Sequence, residues 1–160
     1  MKAAALSGNA QELAELMRQD PGFDVNAETD EWESTLLHNA CLGDSKSVIP
    51  LLLAHPDIDV NMRNAYGITP FAYACSCDST SCVRLLLKDS RVEVNEPDFE
   101  GRTPLYRAAH FGQLDAIKWW NASGREIDLG KPGDVDETDA IGVAKKRGYA
   151  EVVTLLKIQE

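Results

Sequence analysis

No stretch of this sequence is apolar for long enough to cross a membrane. The longest apolar run, Val48 to Ala54, is broken by Pro50, whereas a spanning helix needs about 20 such residues. No secretory leader is legible either. Met1-Lys2 is followed by four apolar residues, Ala3 to Leu6, and then by polar Ser7, Gly8 and Asn9, short of the roughly 7–15 that an export signal uses. The chain is therefore expected in the cytoplasm or the nucleus. Basic residues are few, 16 Lys and Arg against 26 Asp and Glu, for a net charge of −10. That balance argues against nucleic acid, whose phosphates demand a basic face, and against an anionic membrane surface. Cysteine is sparse as well. Cys41, Cys75, Cys77 and Cys82 read as reduced thiols. Asn121-Ala122-Ser123 has the form of a glycosylation sequon, but a chain that is not exported does not meet the enzyme.

What the sequence has is repetition, in a length of 160 residues that suits one domain or a short repeat array. Thr35-Leu36-Leu37-His38-Asn39-Ala40 recurs as Thr69-Pro70-Phe71-Ala72-Tyr73-Ala74 and as Thr103-Pro104-Leu105-Tyr106-Arg107-Ala108, at a spacing of 34 residues. Out of phase with it run Asp24-Val25-Asn26, Asp59-Val60-Asn61 and Glu93-Val94-Asn95. Between the two lie Leu51-Leu52-Leu53, Leu85-Leu86-Leu87 and, in the same place, Trp119-Trp120. Thr-Pro opens a helix, because the hydroxyl can cap free N–H groups and Pro loses nothing at the first helical position. Small residues (Ala40-Cys41, Ala74-Cys75, Ala108-Ala109) suit close helix approach, and Asp44, Asp78 and Gly112 suit the turn that follows. Val48, Ile49, Leu52 and Leu53 then carry helical i, i+3, i+4 spacing. Each unit is thus two short helices and a connecting loop.

A unit of about 33 residues opened by a Thr-Pro-Leu-His type of motif is the ankyrin signature. The chain resembles the ankyrin-repeat family over nearly its whole length, best at Asp98 to Gly112, with Tyr106 where His is usual. The resemblance implies an all-α repeat solenoid whose helix-turn-helix units are joined by β-hairpin loops. Its expected division is an N-terminal cap repeat at 1–29, repeats at 30–63, 64–97 and 98–131, and a C-terminal cap repeat at 132–160. The last connection holds two extra residues, placed in Leu129 to Glu137, where Gly130, Pro132 and Gly133 break regular structure. His38 stands where the family's histidine bonds between neighbouring hairpins, a structural task. A capped array is expected to be a monomer.

Candidate chemistry fares poorly by comparison. Gly124 to Lys131 imitates a phosphate loop, but it holds five intervening residues and Pro132 stands where a magnesium-binding hydroxyl belongs. Asp134, Asp136 and Asp139 lack the glycine and glutamate of a calcium loop and read as a solvated acidic turn. Cys75-Ser76-Cys77 with Cys82 has the wrong spacing for zinc knuckles. By register Cys75 and Cys82 are buried small residues, while Cys77 falls on an exposed turn and is the thiol expected to react. His38, His55 and His110 form no catalytic constellation, so neither an enzyme nor a cofactor is expected. Trp119 and Trp120 share the register of Leu85 and Leu86 and read as core, with a partly exposed edge as the alternative.

Function is then expected on the surface that the family uses, the hairpin tips and the exposed side of the first helices. Carried over by position, the tips present Glu31, Trp32 and Ser34, then Ala65, Tyr66 and Ile68, then Phe99, Glu100 and Arg102. The helix-one turns add Leu42, Ser76, Cys77, His110 and Phe111. Trp32, Tyr66, Ile68, Phe99 and Phe111 are large for positions that meet water, and such anchors favour an interface. Glu28, Asp30, Glu31, Glu33, Glu96, Asp98 and Glu100 suggest a partner protein with basic or mixed charge around an apolar anchor. Two alternatives stay open. One is a regulatory segment of a larger multidomain protein, since the helices run from about residue 3 to near Gln159 without tails. The other is a metal or redox sensor built on Cys75, Cys77 and Cys82.

Overall fold

The computed structural model describes residues 1–130 and 138–158. Among the described residues there are ten helices: α1 (Lys2–Ser7), α2 (Ala10–Gln19), α3 (Leu36–Leu42), α4 (Val48–Leu53), α5 (Pro70–Ser76), α6 (Thr80–Leu87), α7 (Pro104–His110), α8 (Leu114–Ser123), α9 (Ala140–Arg147) and α10 (Ala150–Lys157). The odd-numbered helices stack side by side in one row and the even-numbered ones in a second row behind them. None is long and apolar enough to cross a membrane. The expected acidic turn at Asp134 and Asp136, and most of the long last connection, lie outside the described residues.

The threonines do what their register predicts. Thr69 and Thr103 Oγ1 each accept the N–H three residues on, from Ala72 and Tyr106 at 3.2 Å, with Pro70 and Pro104 opening the helix. Asp139 takes the threonine's part at α9, its carboxylate accepting the Gly142 N–H at 2.7 Å. The small residues Ala4-Ala5, Ala40-Cys41, Ala74-Cys75 and Ala108-Ala109 are all buried. They let the odd row close up so tightly that a methyl group at Gly43 would stand 2.0 Å from the Leu6 carbonyl oxygen. Behind them Leu13, Ile49, Leu52, Leu86, Ile117 and Leu156 form the continuous core. Trp120 is wholly buried there, edge-on to Phe71 at 5.0 Å, with its indole N–H donating to the Glu126 carbonyl.

Two polar ladders tie one unit to the next, and they explain residues that no hydrophobic pattern covers. Asn26 donates to the Asp57 carbonyl (2.7 Å) and accepts the Asp59 N–H (2.8 Å). Asn61 does the same with Arg91 and Glu93, and Asn95 with Glu126 and Asp128. Asp128-Leu129-Gly130 is thus a fourth copy of the Asp-Val-Asn marker, hidden in the sequence because glycine replaces the asparagine. The second ladder runs through Ser45, Ser79 and Gln113, 34 residues apart, whose side chains donate to the carbonyls of Leu6, Cys41 and Ser76.

The expected hairpin connections fold back on themselves as short turns. No strand occurs among the described residues. Each tip is closed by two backbone bonds, from the Thr29 N–H to Ser34 (2.7 Å) and Glu33 to Asp30 (3.0 Å), from Asn64 to Ile68 (3.1 Å) and Gly67 to Asn64 (2.8 Å), and from Asp98 to Arg102 and Gly101 to Asp98 (both 3.0 Å). One more joins each tip to the next, from Ala65 N–H to the Trp32 carbonyl and from Phe99 N–H to the Tyr66 carbonyl. So few rungs close a turn without building a ladder. Trp119 also departs from its register, lying 41% exposed in contrast to buried Trp120.

Candidate functional site: the hairpin tips and first-helix turns

Each tip is shaped by one side chain at its base. The Oδ1 atoms of Asp30, Asn64 and Asp98 each accept two backbone N–H groups, from residues two and four further on, at 3.0–3.1 Å for the first two and 2.9–3.0 Å for Asp98. This folds the intervening residues outward. Trp32, Tyr66 and Phe99 consequently stand in water, as do Leu42 and Phe111 at the ends of α3 and α7, from 45% exposed at Leu42 to 69% at Phe99. Glu31, Ala65 and Glu100 are exposed beside them, while Ser76, Cys77, Arg102 and His110 are half-buried.

Ser34 and Ile68 depart from the expectation, because both are buried. They form the inner leg of their turns. The Ile68 N–H goes to Asn64, and its carbonyl accepts from His38 Nε2 at 2.9 Å. Cys77 is also less open than expected: it closes α5, and burial pushes its thiol up, with the nearby Arg107 cation opposing. Cys41, Cys75 and Cys82 are buried. No three or more His, Cys, Asp or Glu side chains converge to hold a metal ion among the described residues.

The third and fourth units bring their share of the surface together. Tyr66, Ile68, Glu100, Arg102, Tyr106, Arg107, His110 and Phe111 line one concavity of about 240 Å³. That is smaller than ordinary small-ligand sites, which start near about 300 Å³, and suits a side chain better. Beneath it the buried Asp98 carboxylate accepts from Arg102 Nε and Arg107 Nη1, both at 2.9 Å. Arg102 reaches on to Glu100 (2.8 Å) and Arg107 to the Ser76 hydroxyl (2.9 Å). Burial pulls the Arg107 pKa down and the Asp98 charge opposes this. Arg147 donates to His110 Nε2 at 2.6 Å, which carries the surface onto α9. Over the neighbouring tip, the Arg63 guanidinium lies 4.8 Å from the Phe99 ring centroid.

Tyr106, Arg107 and Arg63 escaped the sequence reading. Arg107 had a legible signal, since a cation stands in the register that holds Asn39 and Tyr73 in the two preceding units. The carboxylates also divide in a way that charge counting does not show. Asp30 is paired with Lys2, Glu96 with Arg63, and Asp98 and Glu100 with Arg102. Among the described residues Glu28, Glu31 and Glu33 have no ion partner. Of the tip carboxylates, those without an ion partner therefore lie on the first tip.

Residues 1–98 and 56–131, which overlap, match a family model described as ankyrin repeats in three copies. Proteins of that family are in general protein–protein interaction modules and typically not enzymes. No curated protein matches the sequence. With matches reaching from residue 1 to 131 and two stacked rows of helices, this chain belongs to the ankyrin-repeat family.

Proposed function

We propose that the chain holds a partner protein along its hairpin tips and first-helix turns, with Trp32, Tyr66, Phe99 and Phe111 as apolar anchors. The observation that carries this reading is the row itself. Large aromatic side chains stand more than two-fifths exposed on three successive tips and one helix turn, and isolated solubility does not call for them. The partner contributes one side chain to the concavity between Tyr66 and Phe111. Over the first tip it carries basic groups, facing Glu28, Glu31 and Glu33.

The test is a capture experiment from a lysate of the source cells, with the wild type beside the triple variant Trp32→Ala, Tyr66→Ala, Phe99→Ala. Circular dichroism first establishes that both are folded. A protein retained by the wild type and lost by the variant is the expected result. Equal retention by both would move the binding surface elsewhere.

A further inference from the structure

Behind the row just described, on the side formed by the even-numbered helices, α6 and α8 leave a second notch of about 340 Å³. It is lined by Arg84, Leu87, Lys88, Trp119, Ala122 and Ser123. The Arg84 guanidinium lies over the Trp119 ring, 4.0 Å from its centroid. Two cations and a half-exposed indole thus meet on a chain of net charge −10, with no carboxylate in the lining. The nearest acidic groups in sequence are already engaged, Asp89 by Arg91 (2.7 Å) and Asp115 by Lys118 (3.1 Å). Arg84 and Lys88 themselves have no ion partner among the described residues.

We infer that this notch docks an acidic peptide segment of another protein. A carboxylate sits between Arg84 and Lys88, and a neighbouring apolar side chain lies against Leu87 and the open edge of Trp119. The chemistry of the lining chooses the occupant. A cation resting on an aromatic face keeps its donors free for a carboxylate at its edge, while the apolar wall rewards a hydrophobic neighbour. This site shares no residue with the hairpin row and stands without it.

The probe is a short peptide repeating Glu-Glu-Leu, with a Lys-Lys-Leu peptide as control, titrated into ¹⁵N-labelled protein. The readout is the indole N–H resonances of the three tryptophans, Trp32, Trp119 and Trp120. The Trp119 signal is expected to shift saturably with the acidic peptide and not with the basic one, while that of Trp32 stays in place. Arg84→Glu with Lys88→Glu should weaken binding about tenfold or more. Lys88→Glu alone, which leaves the Arg84–Trp119 contact intact, should weaken it less. The triple variant at Trp32, Tyr66 and Phe99 should bind the peptide as the wild type does. A static Trp119 signal, an equal response to both peptides, or binding indifferent to charge reversal would overturn the inference. So would a Trp119 shift produced by protein concentration alone, which would seat a second copy in the notch.

Discussion

Single residues in this chain carry tasks that their immediate partners define. His38 is wholly buried, and its Nδ1 accepts the Thr35 N–H at 3.1 Å, which leaves Nε2 to carry the proton donated to Ile68. Burial lowers its pKa, with the Ile68 carbonyl and the Asp30 charge opposing. The unfolded chain therefore binds this proton more readily than the folded one. The stability due to neutral His38 is complete above its ordinary pKa of about 6.5 and is lost as the pH falls from there. Thermal melts from about pH 7.5 to about 5.5 should show a falling Tm, and His38→Gln, less stable at neutral pH, should flatten that slope. Asp98 admits a test of the buried ion pair. Asn64 shows that an asparagine keeps both backbone bonds of the turn, so Asp98→Asn spares the turn while it removes both the charge and the Oδ2 acceptor that face Arg102 and Arg107. With Arg107 left largely buried and unpaired, a loss of about 3 kcal/mol is expected in urea unfolding. Asp78 should give the opposite sign. It adopts φ 57 in an exposed turn with no side-chain bond of its own, and Asp78→Gly should stabilise by about 1 kcal/mol. Asp44 has a similar φ, but its carboxylate accepts the Cys82 N–H at 3.0 Å, so the same change there should gain less.

At the scale of elements, the helices were legible and much of their joinery was not. Thr69-Pro70 and Thr103-Pro104 are read from sequence because a cap is a local event, complete within four residues. The Asn26, Asn61, Asn95 series is visible as repetition, but its purpose is not, since each partner lies about 31–33 residues away in the next loop. Asn61→Ala should cost about 2 kcal/mol, because it frees two backbone groups at once. Trp119 and Trp120 show a second limit. Identical residues in adjacent positions point in different directions on one helix, and register alone did not say that α8 buries only Trp120. Ser34 and Ile68 show a third. A turn of five residues has an inner and an outer leg, and only the hydrogen bonds that Asp30 and Asn64 accept reveal which residue occupies which. The candidate site was therefore legible in its aromatic row and illegible in its polar floor, where Arg107 and Asp98 meet from different elements. Gly43 marks where packing leaves no choice. Its φ is −87, so conformation does not demand glycine, yet Gly43→Ala should destabilise by about 2–3 kcal/mol through the clash with Leu6.

For the whole molecule, each unit touches only its neighbours, so stability is a sum of local and nearest-neighbour contributions. Damage at Gly43 should open the N-terminal units first in hydrogen exchange, while α7 to α10 stay protected. The same geometry separates the faces. The aromatic row lies with the tips and the odd-numbered helices, and the Arg84–Trp119 notch lies with the even-numbered ones, so two partners of opposite charge need not compete. The tip carboxylates without an ion partner, Glu28, Glu31 and Glu33, lie at the first tip, and Lys145, Lys146 and Arg147 end α9 at the other end. A long partner should therefore lie in one direction along the array, its basic part over Glu31 and Glu33.

Binding on the tips and first-helix turns is open to site-specific photo-crosslinking in the source cells, with benzoylphenylalanine replacing Tyr66, Phe99 or, behind them on α10, Lys157. A protein adduct is expected from positions 66 and 99, of the same size at both, and none of that size from position 157. An adduct at 157 with none at 66 and 99 would contradict it.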